Sequence, residues 1–210
     1  VIASRFAPGP FLLFSNINPR YPGMVGMLAA AGALDQIGVP HGRIFGDIRD
    51  PEVLRKVLAF IRAASAINRL KGETFGLFGG RPMGMYTAVA NLDQWMREFG
   101  IDVEHIDQWE IVRGAEKASD DEVEHAFRWL TAKVGKVHYD GKQLTPDKLK
   151  LQIRSYIAVR EMIKKYRLNF VGIKAQPELT DNFVTMDVTE ALLNDPYDWN
   201  GPKEPIVAAT

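Results

Sequence analysis

Thr74-Phe-Gly-Leu-Phe78 runs directly into Gly79-Gly80-Arg81-Pro82-Met83-Gly84, and the periodicity predicts a helix from there through Trp95 to Phe99. A short apolar run, a glycine-rich turn and an amphipathic stretch make the strand–turn–helix unit of a parallel α/β sheet. The same alternation extends in both directions. Upstream, Phe11-Leu-Leu-Phe14 reads as a buried strand, Met24 to Ile37 as an Ala- and Gly-rich helix, and Arg43-Ile-Phe45 as a short strand. Asp50-Pro51-Glu52 supplies a cap, a first-turn proline and an acidic first turn. Val53, Leu54, Val57, Leu58 and Ile61 then carry an apolar face at helical spacing.

Downstream, Ile101 to Ile106 is a further strand and Asp107 to Lys117 a helix. Ser119-Asp-Asp-Glu122 has the pattern of a capping box opening another helix. His138 to Gln143 is a loop turning at Asp140-Gly141. Thr145-Pro146-Asp147 starts the longest helix, which runs to Tyr166. Asn169 to Ile173 is a strand, Asn182 to Leu193 a helix, and Pro205 to Ala208 one more strand. The expected fold class is therefore α/β, a doubly wound and mainly parallel sheet flanked by helices, Rossmann-like. Such sheets carry their sites at the carboxyl ends of strands. A soft boundary falls at Arg69 to Glu73.

The chain has 210 residues, enough for one large α/β domain or one domain plus part of another. Hydrophobic residues make up 46% and charged residues 25%, a balance that supports a buried core and argues against disorder throughout. The formal net charge is zero, so no long-range field favours nucleic acid or an anionic membrane as a partner. No apolar run reaches membrane-spanning length, and no signal peptide is expected at the start. The absence of cysteine excludes disulfides, thiolate metal sites and cysteine nucleophiles, and fits a cytoplasmic location.

Within the glycine turn, neither the dinucleotide fingerprint nor a Walker motif is present. A tight turn and an anion or polyol site both stay open there, with Arg81 as the one residue able to reach a ligand. His41, His105, His125 and His138 show no helix-face metal spacing, and each is expected to be structural or exposed. Gln176-Pro-Glu178 follows a strand at its carboxyl end, which makes Gln176 a candidate substrate-binding residue. Asp187 and Glu190 are three apart and share a helix face. A solvated charged face is one outcome for them. The other is a Glu190 turned toward a buried region, where a carboxylate must be paired, neutralised or metal-bound. The tryptophans are expected in the core or an interface, with Trp199, in the polar stretch Asn194 to Gly201, as the candidate exception.

Four segments together resemble the L-fucose isomerase family, which is related to the L-arabinose isomerases. They are Gly79-Gly-Arg-Pro-Met-Gly-Met85, Phe99-Gly-Ile-Asp-Val-Glu-His-Ile-Asp107, Lys174-Ala-Gln-Pro-Glu-Leu-Thr-Asp181 and the run from Glu190 to Val207. Residues 1–72 are less specifically similar. The resemblance implies that 1–72 is the last part of a first α/β domain and 73–210 most of a second. It implies an aldose–ketose isomerase working through an ene-diol with Mn²⁺, or another divalent cation such as Mg²⁺ or Co²⁺. It places the family's metal-binding and acid/base glutamate on Glu190. The family's Asp ligand is expected just after Thr210 and its His ligand in a C-terminal domain, so the chain alone is expected to be inactive. A small-molecule sugar substrate and a homo-oligomer, hexameric in the family, are expected, with neither nucleic acid nor membrane as partner. The alternatives are a non-catalytic sugar-binding or oligomer-assembly module, and a nucleotide-binding domain using the turn from Gly79 to Gly84.

Overall fold

The computed structural model describes residues 2–6, 9–17, 20–89 and 91–209. The chain divides into two compact units, Val1–Leu70 and Lys71–Thr210.

The first unit is a small βαβ arrangement. It contains α1 (Ile2–Phe6), β1 (Phe11–Asn16), α2 (Gly23–Gln36), β2 (His41–Gly46) and α3 (Pro51–Leu70). β1 and β2 pair in parallel from Phe11 opposite His41 to Asn16 opposite Gly46. Asp50 caps α3 by accepting the Glu52 N–H at 2.8 Å. Two strands leave much of these helices uncovered, and α3 buries none of its 20 residues fully.

The second unit runs β3 (Thr74–Phe78), two 3₁₀ turns (Pro82–Gly84 and Tyr86–Ala88), α4 (Leu92–Phe99) and β4 (Asp102–Ile106). It continues through α5 (Gln108–Lys117), α6 (Asp120–Val134), α7 (Pro146–Tyr166) and β5 (Phe170–Ile173). It ends with α8 (Glu178–Asn182), α9 (Asp187–Asn194), β6 (Tyr197–Asp198), β7 (Gly201–Pro202) and β8 (Val207–Ala209). Four strands form one all-parallel sheet in the order β4-β3-β5-β8, while β6 and β7 make a separate antiparallel ribbon. The chain is thus an α/β protein with parallel sheets flanked by helices.

Side chains alternate across the sheet. Phe78, Val171, Ile173 and Ala208 are buried with Ile153, Tyr156, Val159 and Ile163 of α7 and Ile111 of α5 in one core. Phe75 and Phe170 meet at 5.2 Å, and Trp95 of α4 packs on Phe75 at 5.2 Å.

Four local expectations change. The helix expected directly after Gly84 starts only at Leu92. Met83 and Gly84 take positive φ of 45° and 71°, and Asn91 caps the helix through the Gln94 N–H at 3.0 Å. The helix expected over Asn182 to Leu193 starts only at Asp187, because α8 ends at Asn182 and Phe183 leaves helical space, which lets Val184 and Met186 turn into the core. At the expected capping box, the Ser119 side chain makes no cap bond, and the Glu122 carboxylate accepts from Arg160 at 2.9 Å instead. The last strand covers Val207–Ala209, two residues beyond Pro205, which has no N–H to give a ladder.

α5 lies close against α7 at Gly114. A Cβ there would stand 2.7 Å from Ala158 Cβ. Gly114→Leu is expected to destabilise the chain by about 1–3 kcal/mol through overpacking. The check is the denaturant midpoint at unchanged m-value; an unmoved midpoint would mean that the two helices can separate freely at this contact.

Candidate functional site

The strand order fixes where a ligand can enter. From β3 the chain steps to β4 on one side, then crosses back to β5 on the other. The connections that leave the carboxyl ends of β3 and β5 therefore go to opposite faces of the sheet, and α/β sheets bind ligands at such a reversal. A cleft of about 730 Å³ starts at this place and runs back along the sheet face that carries Phe75, Leu77, Phe170 and Val207. Gly80, Pro82 and Met83 follow β3 into it, and Lys174 and Gln176 follow β5. Thr185 and Asp187, at the start of α9, close the polar end, while Phe75, Leu77, Phe170 and Trp95 form an apolar wall. An apolar wall with a few convergent polar groups is the usual make-up of a small-molecule site.

The polar end is tied together by hydrogen bonds. Lys174 donates its backbone N–H to the Phe78 carbonyl at 2.9 Å and its Nζ to Glu178 Oε1 at 2.6 Å. The Lys174 hydrogen bond holds the Glu178 carboxyl below the usual carboxylate range. Gln108 Nε2 donates to the Lys174 carbonyl, and Thr185 Oγ1 to Asp187 Oδ2. Gly79, at φ 90°, sits against this cluster; a Cβ would fall 2.8 Å from Gln108 Cγ and 3.0 Å from Lys174 Cβ. The turn thus needs glycine for both its dihedral angle and its close approach.

Of the residues singled out in the sequence, Gln176 is exposed and lines the cleft. Arg81 is exposed outside the cleft lining, with its guanidinium 4.4 Å from the centre of the Tyr86 ring. Glu190 lies in the middle of α9, half-buried, with Oε1 screened from solvent. Asp187, three residues earlier on the same helix, lines the cleft; Glu190 does not. Among the described residues, no three His, Cys, Asp or Glu side chains come together as a metal centre. The Glu190 carboxylate offers hard oxygen, the donor type that fits one ligand position of a Mn²⁺ or Mg²⁺ site.

His105, His125 and His138 are exposed. The His41 side chain is buried and accepts at Nε2 from Arg43 Nε at 2.9 Å, so its Nδ1–H donates to the Val39 carbonyl at 2.9 Å. Trp199 is not a sugar platform. It is 8% exposed, packs edge-on against Tyr156 at 5.4 Å and lies 5.4 Å from the Arg160 guanidinium.

Beside Trp199 is a polar network that the sequence did not announce. Tyr156 donates its hydroxyl to Asp198 Oδ2 at 3.0 Å, Arg160 Nη1 stands 3.5 Å from the same oxygen, and Arg160 Nη2 donates to Glu122. Burial, and then the Asp198 charge, push the Tyr156 phenol well above its ordinary pKa. Spacings of 38 and 42 residues have no local signature, so only the tertiary fold reveals the partners.

Two family models match this chain in succession. The first N-terminal domain of L-fucose isomerase matches residues 3–72, and the second N-terminal domain matches 156–210. The L-fucose isomerases of Escherichia coli and Citrobacter koseri are each 27% identical to it over 221 residues. These alignments cover 90% of this chain and 37% of each relative. The chain therefore spans a little over a third of the length of the relatives it matches. With two consecutive domain models of one enzyme matched in order, the chain belongs to the L-fucose isomerase family.

Proposed function

We propose that this chain forms part of a divalent-metal-dependent sugar ketol-isomerase, and that Glu190 is its acid/base residue and one of its metal ligands. The observation that carries this is the position of Glu190: mid-helix, with one oxygen screened from water, within the stretch matched by the second N-terminal domain of L-fucose isomerase. Isomerisation of an aldose such as L-fucose removes a proton from C2 and returns one to C1, while the hydroxyl proton at O2 leaves and O1 becomes protonated. A carboxylate held beside both carbons can take the C2 proton and deliver it to C1 through an ene-diol. When bound, a divalent cation such as Mn²⁺, Mg²⁺ or Co²⁺ would draw charge from the sugar oxygens. Gln176 is positioned at the cleft to hydrogen-bond a sugar hydroxyl, and Lys174 orders the backbone from which it projects. Assembly as a homo-oligomer, a hexamer as in the family, and a cytoplasmic location belong to the same proposal.

The cleft supports a second reading, a module that holds a sugar without converting it. Metal-independent sugar binding with no turnover in the complete protein would favour that alternative.

In the complete isomerase that carries this chain, Glu190→Gln is expected to lower kcat by about 10²–10⁴-fold, the usual contribution of a positioned acid/base group. Normal turnover in that variant would remove Glu190 from the chemistry. Conversion of L-fucose in D₂O should put solvent deuterium at C1 of the ketose, read by NMR; complete exclusion of label would point to a direct hydride shift. Gln176→Ala should raise the sugar KM roughly 3- to 10-fold, the scale of one lost hydrogen bond, and an unchanged KM would take Gln176 out of the site.

A further inference from the structure

α9 ends against β8, and one side chain makes the join while also bonding the backbone of Glu190. Asn194 Nδ2 donates to the Glu190 carbonyl at 2.9 Å and to the Ala208 carbonyl at 2.8 Å. Asn194 Oδ1 accepts the Ala208 N–H at 3.4 Å. A primary amide that engages both backbone groups of the central residue of β8 pairs with it as a neighbouring strand would. Its second donor hydrogen reaches one helical turn back, to the residue read above as the base. Other contacts reinforce the same junction. Lys203 Nζ donates to the Leu193 carbonyl at 3.0 Å and to the Asp195 carbonyl, and the Ile206 N–H donates to Leu193 at 2.8 Å. None of these three bonds touches Glu190.

We propose that Asn194 is a positioning residue for the isomerisation: its amide sets the placement of Glu190 relative to the carboxyl end of β8. The proposal rests on Glu190 being the acid/base group. Proton transfer requires the carboxylate within hydrogen-bond reach of the reacting carbon. Without the amide the end of α9 stays fastened through Leu193 and Asp195, but the turn that carries Glu190 loses its own bond to β8 and its carboxylate can shift; a misplacement of about 1 Å can cost on the order of 100-fold in rate. Asn194 is exposed, so water can take over its bonds to Ala208 and Glu190 when the amide is removed. The lost property is then placement, with the fold retained.

The experiment uses the complete isomerase with L-fucose and Mn²⁺, and compares Asn194→Ala, Asn194→Ser and Glu190→Gln. Serine can keep a bond to the carbonyl four residues back but is too short to reach Ala208. Both Asn194 variants are expected to lose about 10- to 100-fold in kcat, with KM held within about twofold and the melting temperature essentially unchanged. If Asn194→Ala fails to fold, Asn194→Ser decides the matter alone. A kcat within about twofold of wild type in a folded Asn194 variant, or a loss confined to KM, overturns the positioning role. Full turnover in Glu190→Gln overturns the reading of Glu190 itself. Loss in Glu190→Gln with none in Asn194→Ser sinks only the role of Asn194.

Discussion

The burial of α7 against the β3–β5 strand pair is the contact on which the second unit is organised. Ile153, Tyr156, Val159 and Ile163 are buried from one end of the helix to the other, together with Phe78, Val171 and Ile173 of the sheet. A fully buried aliphatic or aromatic side chain contributes about 1.5–3 kcal/mol relative to an exposed one. Several of them on one helix offset the loop-closure entropy of the long connection from β4 to β5, which grows only slowly with its length. Once α7 lies on the sheet, β5 pairs on the far side of β3 from β4, and the cleft at their carboxyl ends follows from that order.

The same helix carries charge into the interior without leaving it unbalanced. Arg160 bonds Glu122 of α6 and approaches Asp198 of the β6–β7 ribbon, and Tyr156 donates to Asp198. Removing Arg160 or Tyr156 would leave the buried Asp198 carboxylate short of a partner, which costs more than the pair contributes. The ribbon therefore stays registered on α7, and the chain between α9 and β8 has little freedom. That rigidity extends to Lys203, which closes the end of α9 by bonding the Leu193 carbonyl.

Much of this architecture is legible in the sequence, for physical reasons that also explain the failures. β3 is readable because an apolar run meets a glycine turn, and α7 because Thr145-Pro146 opens it with a side-chain cap, Thr145 Oγ1 accepting the Lys148 N–H at 3.1 Å. Ser119 and Glu122 mislead because a local pattern lost its acid to Arg160, a partner remote in sequence. Phe183 misleads because a helix-compatible run is broken to bury Val184 and Met186. Trp199 misleads because its neighbours in the chain are polar while its neighbours in space are Tyr156 and Arg160. Gln176 can be located from strand position alone. For Glu190, spacing gives only a shared face with Asp187, and its chemical role rests on family resemblance. The amide bridge of Asn194 has no sequence signature, since its partner Ala208 is 14 residues away and contributes only backbone.

The Tyr156 phenol has a consequence for behaviour in alkali. Because the folded chain holds that proton more tightly than the unfolded chain does, the interaction contributes its full stabilisation below the ordinary phenol pKa. It is lost as pH rises from there toward the higher folded value. The fastening of the β6–β7 ribbon to α7 is thus indifferent to acidity changes around neutrality, and strong base selectively loosens it.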